Sequence, residues 1–172
     1  MRHIRQAEER DAGRIAEILV FNYRLNFYPI FKNDAFYFDE IQVMSVAEKY
    51  LADKGTLRNV YVYDDGTVKG VLQISGREVQ KLFVEPALQG CGIGEKLLRY
   101  AVENCRADFL WALEKNERAI KFYQRNGFHQ TSGKNLRRAR RSIWFTWNVE
   151  LRIMDMHKGS LLTAGGPFPH AL

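Results

Sequence analysis

Six consecutive residues, Gln89-Gly90-Cys91-Gly92-Ile93-Gly94, form the segment of this chain best suited to chemistry. They follow a strand-like run, Leu82-Phe83-Val84, and precede a segment of helical periodicity, so the glycines fall at the start of a helix. The first N–H groups of a helix have no partner within it, and the helix dipole favours negative charge there. A glycine-rich approach lets a diphosphate reach those groups without meeting side chains. Two other phosphate motifs fail on spacing: a P-loop needs Gly-Lys followed by Ser or Thr, and a dinucleotide fingerprint needs a third glycine where this chain has Glu95. Glu114 stands near where a ribose-binding acid would follow, but the unit comes after a meander and does not open a doubly wound sheet. Cys91 has no identifiable base beside it and reads as a tolerated loop position. His3, His129, His157 and His170 are scattered, and Cys91 and Cys105 form neither a disulfide framework nor a Cys-x-x-Cys, so no structural metal is expected.

The elements that must hold this loop follow from periodicity. Arg2 to Gln6 reads as a short strand and Asp11 to Val20 as a helix, with Ile15, Ala16, Ile18 and Leu19 at helical spacing. Phe21 to Phe38, crowded with aromatics and broken by Pro29 and Asn33-Asp34, fits no period. Ile41 to Leu51 reads as a second helix closed by Gly55. Val60 to Tyr63 and Val68 to Ser75 flank an Asp-Gly hairpin turn, and Glu78 to Val84 follows Gly76-Arg77 to complete an antiparallel meander. Ile93, Leu97, Leu98, Ala101, Val102 and Cys105 mark one face of an amphipathic helix, and Phe109 to Leu113 is a buried strand parallel to its neighbour, which makes a right-handed βαβ unit. Asn116 caps a helix from Glu117 to Arg125 that stops at Asn126-Gly127-Phe128. Ile143 to Met154 alternates apolar and polar residues, the pattern of a half-buried strand at or near the sheet edge.

Gln89-x-x-Gly92-x-Gly94, preceded by Leu82-Phe83-Val84-Glu85-Pro86, resembles the coenzyme A motif of the GNAT superfamily of acyl-CoA-dependent N-acetyltransferases. A second block, Asn116, Ala119 and Phe122-Tyr123 closed by Asn126-Gly127-Phe128, is similar to the helix that follows in that family, and the element order from Arg2 to Ile153 resembles it too. The resemblance implies an α/β (α+β) fold with a mixed, mostly antiparallel central sheet, a βαβ coenzyme-binding unit and flanking helices, in one domain over residues 1–156. It implies acetyl-CoA as acyl donor. Backbone groups of Leu82, Phe83 and Val84 would hold the pantetheine arm, Gln89, Gly90, Cys91, Gly92, Ile93 and Gly94 the diphosphate, and Asn116 the coenzyme arm. Tyr123 would stand beside the sulfur as the acid for the leaving thiolate. Each of the last two has a plainer alternative, Asn116 as a helix cap and Tyr123 as a core aromatic.

Amide formation adds a demand, because a protonated amine is no nucleophile and must lose a proton before attack. Glu78, at the start of the strand that leads to the thioester, is the candidate base, acting through water; a solvated strand-end carboxylate is the alternative. Glu85, beside Pro86, is the poorer candidate. The expected function is transfer of an acetyl group from acetyl-CoA to a primary amine by direct attack on the thioester. The competing reading is a non-catalytic acyl-CoA-binding module. Small amines, polyamines and protein amines all remain open as acceptors.

Composition narrows the class. With 172 residues, 46% hydrophobic and 27% charged, the chain has the make-up of one globular domain and not of a disordered or fibrous one. No apolar run approaches the ~18 residues of a membrane span and the start does not resemble a signal peptide, which gives a cytoplasmic expectation with no membrane partner. Lys134, Arg137, Arg138, Arg140 and Arg141 account for five charges of a net +6, so the basicity is local, and a solvated basic loop is preferred over a nucleic-acid site. Residues 157–172 show no period and read as a tail, disordered, appended or docked on a partner subunit. The long last strand and the apolar tail suit a homodimer.

Overall fold

The computed structural model describes residues 3–52, 54–138 and 145–153. In chain order it contains β1 (Ile4–Gln6), a 3-10 turn (Glu9–Asp11), α1 (Ala12–Asn26), α2 (Tyr28–Phe31), a π-helical turn (Ala35–Glu40), α3 (Val43–Ala52), α4 (Lys54–Leu57), β2 (Val60–Asp64), β3 (Val68–Ser75), β4 (Glu78–Val84), a 3-10 turn (Pro86–Leu88), α5 (Ile93–Cys105), β5 (Phe109–Leu113), α6 (Glu117–Arg125), β6 (Phe128–Arg138) and β7 (Phe145–Ile153). The strands form one sheet in the order β1-β2-β3-β4-β5-β7-β6. Every pairing is antiparallel except that of β4 with β5, so the expected mixed, mostly antiparallel sheet with flanking helices is the fold observed.

Each face of the sheet buries its own apolar cluster. On one face α5 lays Leu97, Leu98 and Ala101 against Leu72, Leu110, Phe128 and Leu151. On the other, α1 and α3 bring Ile15, Ile18, Leu19 and Tyr50 onto Val60, Val62 and Val71. Each fully buried Leu or Ile contributes about 2 kcal/mol, so these two seams fix the helices on the sheet.

The parallel pairing is short. Only Glu78 with Phe109 and Val79 with Leu110 are in register, and the strands then part. At the same place β4 carries a bulge: Lys81 faces Gln73 and Val79 faces Ile74, leaving Gln80 as the extra residue. The bulge resets the side-chain alternation. Val79, Leu82 and Val84 join the α5 cluster, whereas Phe83 packs toward α1 and Lys81 toward α3.

Several sequence expectations need adjustment. α1 runs on to Asn26 without apolar periodicity because polar bonds hold its last turns: Arg24 donates to the carbonyls of Tyr37 and Ile41, and Asn22 to that of Ile18. Gly55 does not close α3 but lies within α4. Residues 134–138 are not loop; Lys134, Arg137 and Arg138 belong to β6, whose ladder with β7 continues from Lys134↔Val149 to Arg138↔Phe145. β6 is therefore the edge strand, and β7 lies one place in from it. Arg140, Arg141 and the tail 157–172 lie outside the described residues. Among the described residues no helix is long and apolar enough to cross a membrane.

Candidate functional site

The parting of β4 from β5 opens a cleft of about 690 Å³. Its floor is backbone. The Glu85 N–H donates to the Lys69 carbonyl, which makes Val84↔Gly70 a non-hydrogen-bonded pair of the β3–β4 ladder. Alternation makes Leu82↔Leu72 another, so Leu82 and Val84 turn their N–H and C=O groups away from β3; Asn22 Nδ2 donates to the Val84 carbonyl, which leaves the Leu82 groups and the Val84 N–H toward the gap. Beyond Val79 no described strand pairs with that side of β4. These groups can bond an extended ligand that takes the place of a strand.

At the end of β4 the chain turns through the glycine loop into α5. Gly90 and Gly92 take φ of +88° and +78°, values that disfavour other residues, and a Cβ on either would meet nothing within 4 Å. Among the described residues the space above the loop is open. The first bond of α5 runs from Lys96 N–H to the Gly92 carbonyl, so the N–H groups of Ile93, Gly94 and Glu95 have no intrahelical acceptor, and among the described residues no side chain caps the helix. Gly94 lets α6 approach: a Cβ there would stand 3.3 Å from Phe122 Cζ.

A buried polar network fixes this loop to α1. Asn22, 1% exposed, donates from Nδ2 to the carbonyls of Ile18 and Val84, while its Oδ1 accepts from Asn26 and from Gln89 Nε2 at 2.9 Å. Gln89 is thus positioned by a residue the sequence analysis did not single out. The available signal was a polar residue at the helical spacing of Ile15, Ile18 and Leu19, on the apolar stripe of α1. Arg14 adds a second tie, donating to Glu85 Oε2 at 2.5 Å and to the Val68 carbonyl at 3.0 Å. Glu85 is held in that pair.

α6 supplies the opposite wall. Asn116 accepts from the Ala119 N–H at 3.2 Å, which makes it the helix cap, and it also lines the cleft. Tyr123 lines the cleft with its ring against Phe122 and Phe128, at centroid distances of 5.2 and 6.0 Å. Burial pushes its phenol well above the ordinary tyrosine value. Arg118 and Arg125, seven residues apart on one helix face, line the cleft as well and were missed in the sequence; their spacing was the signal.

The remaining wall is aromatic. Phe27, at the end of α1, lines the cleft; its ring lies 5.4 Å from that of Tyr23 and 6.2 Å, edge-on, from that of Phe83. Tyr37 is buried elsewhere in the core, and Phe21 and Phe38 are exposed, so the aromatic stretch divides among three roles. Glu78 and Lys81 lie along the β4 side of the same cleft. Of the sequence-derived site residues, Glu78, Leu82, Phe83, Val84, Gln89, Gly90, Gly92, Gly94, Asn116 and Tyr123 come together around it. Cys91 is exposed and Ile93 faces the core, so neither side chain lines it. Among the described residues no cluster of His, Cys, Asp and Glu could hold a metal.

Residues 56–130, from α4 through the glycine loop to the start of β6, match the family model described as an acetyltransferase (GNAT) domain. The chain is similar to two proteins of Escherichia coli (strain K12) named peptidyl-lysine N-acetyltransferase. YjaB is 34% identical over 62 residues, 36% of this chain and 42% of that protein. YiaC is 35% identical over 85 residues, 49% of this chain and 56% of that protein. The chain thus spans about half the length of these curated relatives. Its fold is similar to the crystal structure of the PaiA N-acetyltransferase of Thermoplasma acidophilum in complex with coenzyme A, with a TM-score of 0.56, 18% identity, and coverage of 87% of this chain and 97% of the other. The match to the GNAT domain model is confined to residues 56–130, and over that part the chain is similar to GNAT acetyltransferases.

Proposed function

We propose that the protein is an acyl-CoA-dependent N-acetyltransferase that moves an acetyl group from acetyl-CoA to a primary amine. The gap between β4 and β5 carries this reading. At one end Leu82 and Val84 offer amide groups to an amide-bearing arm, and at the other the free N–H groups of α5, with Arg118 and Arg125 nearby on the cleft wall, suit phosphates. PaiA carries coenzyme A on a similar fold, which supports the assignment. In this reading Leu82, Phe83 and Val84 run along the pantetheine, the loop Gln89, Gly90, Cys91, Gly92, Ile93 and Gly94 surrounds the diphosphate, and Asn116 meets the arm between them.

Acetyl-CoA brings an activated acyl group, and the chain's residues move the protons. Tyr123, whose phenol keeps its proton through the neutral range, donates to the departing sulfur. Glu78 takes the proton of the attacking amine. It precedes Leu82 by four residues, about 13 Å along a strand, so water carries the proton between them. Both E. coli relatives are named for peptidyl-lysine, so a lysine-containing peptide is the first acceptor to try, ahead of polyamines and small amines.

The test is thermal unfolding with and without acetyl-CoA, followed by thiol release across that acceptor panel. Stabilisation with acceptor-dependent thiol release is expected. Stabilisation without release for any acceptor would favour the non-catalytic acyl-CoA-binding module. An unfolding temperature indifferent to millimolar acetyl-CoA would overturn both.

A further inference from the structure

Lys81 has no part in the machinery assigned above. Among the described residues lining the cleft it is the one lysine, carried on β4 immediately before Leu82, whose backbone faces the gap. The bulge at Gln80 turns it toward α3, where Nζ donates to the Tyr50 hydroxyl at 3.2 Å and lies 5.5 Å from that ring's centroid. Tyr50 in turn donates to Gln73 Oε1 at 3.0 Å. Among the described residues no carboxylate pairs with Lys81 Nζ. Burial, with a smaller contribution from the charge of Lys49, lowers its pKa to about 8. Roughly one molecule in ten therefore carries the free amine at pH 7.

We propose that Lys81 is a self-acetylation site, its amine taking the acetyl group of an acyl-CoA thioester held in the cleft when no acceptor is present. This rests on the coenzyme reading above. The Lys81 nitrogen bonds to the thioester carbonyl carbon, the carbon–sulfur bond breaks, and the proton lost by nitrogen ends on sulfur. The products are an amide on Lys81 and coenzyme A as the free thiol, with no oxidant or further reactant. To react, Nζ need leave only the Tyr50 hydroxyl and ring, because among the described residues no ion pair holds it. The neutral acetyl-lysine would then occupy the β4 side of the cleft beside Phe83, so acceptor-free incubation also blocks the site it uses.

The experiment incubates the full chain with isotopically labelled acetyl-CoA and no acceptor, and maps acetyl-lysines by mass spectrometry over time. Thermal unfolding with acetyl-CoA is measured in parallel. Labelling at Lys81 is expected to exceed that at an exposed lysine such as Lys121 by on the order of 10²-fold, as proximity in a bound complex requires. Label should be lost from that peptide in Lys81→Arg and Lys81→Met, and should fall to the exposed-lysine rate in Gly92→Asp. If acetyl-CoA raises the unfolding temperature but Lys81 stays unlabelled, self-acetylation is overturned and the coenzyme reading stands. If neither is seen, both fall. Equal labelling of Lys81 in wild type and Gly92→Asp would show reaction from solution and overturn the proposal as well.

Discussion

On the side formed by β4, the glycine loop and α5, the cleft is built from main chain: the turned-out groups of Leu82 and Val84 and the free N–H groups above Gly92. On the side formed by the end of α1 it is built from side chains, chiefly Phe27 backed by Tyr23 and Phe83. The two walls answer to different rules. A backbone wall tolerates most side-chain changes and depends on where glycine stands, which suits a ligand common to a whole superfamily. A side-chain wall can be rewritten residue by residue without altering the fold, which suits an acceptor that differs from one member to the next. Substitutions confined to one wall test whether the two are separable.

The largest effect is expected from Gly92→Asp. It puts a Cβ at φ of +78°, costing about 1 kcal/mol, and adds a carboxylate where the free N–H groups of α5 would meet phosphate. The acetyl-CoA-induced rise in unfolding temperature should vanish while the apo protein stays folded. A variant that is stabilised as well as the wild type would remove the loop from the binding site.

Tyr123 stands on the α6 wall, and Tyr123→Phe is the next largest. Phenylalanine fills the same space, so acetyl-CoA affinity should change little while kcat falls by on the order of 10²-fold, the low end for general acid catalysis because a thiolate is a good leaving group. Unchanged kcat, under conditions where chemistry limits the rate, would make Tyr123 a core aromatic only. A fall in affinity matching the fall in rate would instead assign it to binding.

Asn22→Leu keeps the volume but removes every polar contact that joins α1 to Val84 and Gln89. Leaving those buried partners unmet should cost about 2–3 kcal/mol of stability. If the network also positions the loop, acetyl-CoA affinity should fall about tenfold, close to 1.4 kcal/mol. Lower stability with intact affinity would show that the network holds the fold together without shaping the loop.

The same contrast explains what the sequence disclosed. The backbone wall was legible because its requirements appear as residue types, glycine where φ is positive and a 3.6-residue stripe from Ile93 to Cys105, and the α6 wall opposite showed its N-cap asparagine at 116. The aromatic wall was not, because Phe21 to Phe38 folds as the end of a helix, a second short helix with Pro29 in its first turn and a π-helical turn, none of which has a distinct period. β6 escaped for another reason. Past Phe128 its residues are almost all polar or charged, as an edge strand allows, so no apolar alternation marked it and its basic residues read as loop. The parting of β4 from β5, on which the site depends, leaves no local trace either, since pairing is a property of two segments far apart in sequence.

The smallest expected effect is also the most specific to the aromatic wall. Phe27 is half-buried, caps the end of α1 through its N–H bond to the Tyr23 carbonyl, and presents its ring to both Phe83 and the cleft. Phe27→Ala keeps the backbone bond and removes the ring. Full burial of such a ring is worth about 3 kcal/mol, and half-burial about half of that, so acceptor KM should rise by about tenfold once an acceptor is found. Acetyl-CoA affinity and kcat at saturating acceptor should hold, because neither the turned-out groups of β4 nor the loop depends on that ring. Stability should fall only modestly, since the cavity opens to solvent instead of remaining sealed. If acetyl-CoA affinity falls by the same factor as acceptor affinity, the ring supports both walls through Phe83, and the division between a backbone wall for the donor and a side-chain wall for the acceptor is wrong.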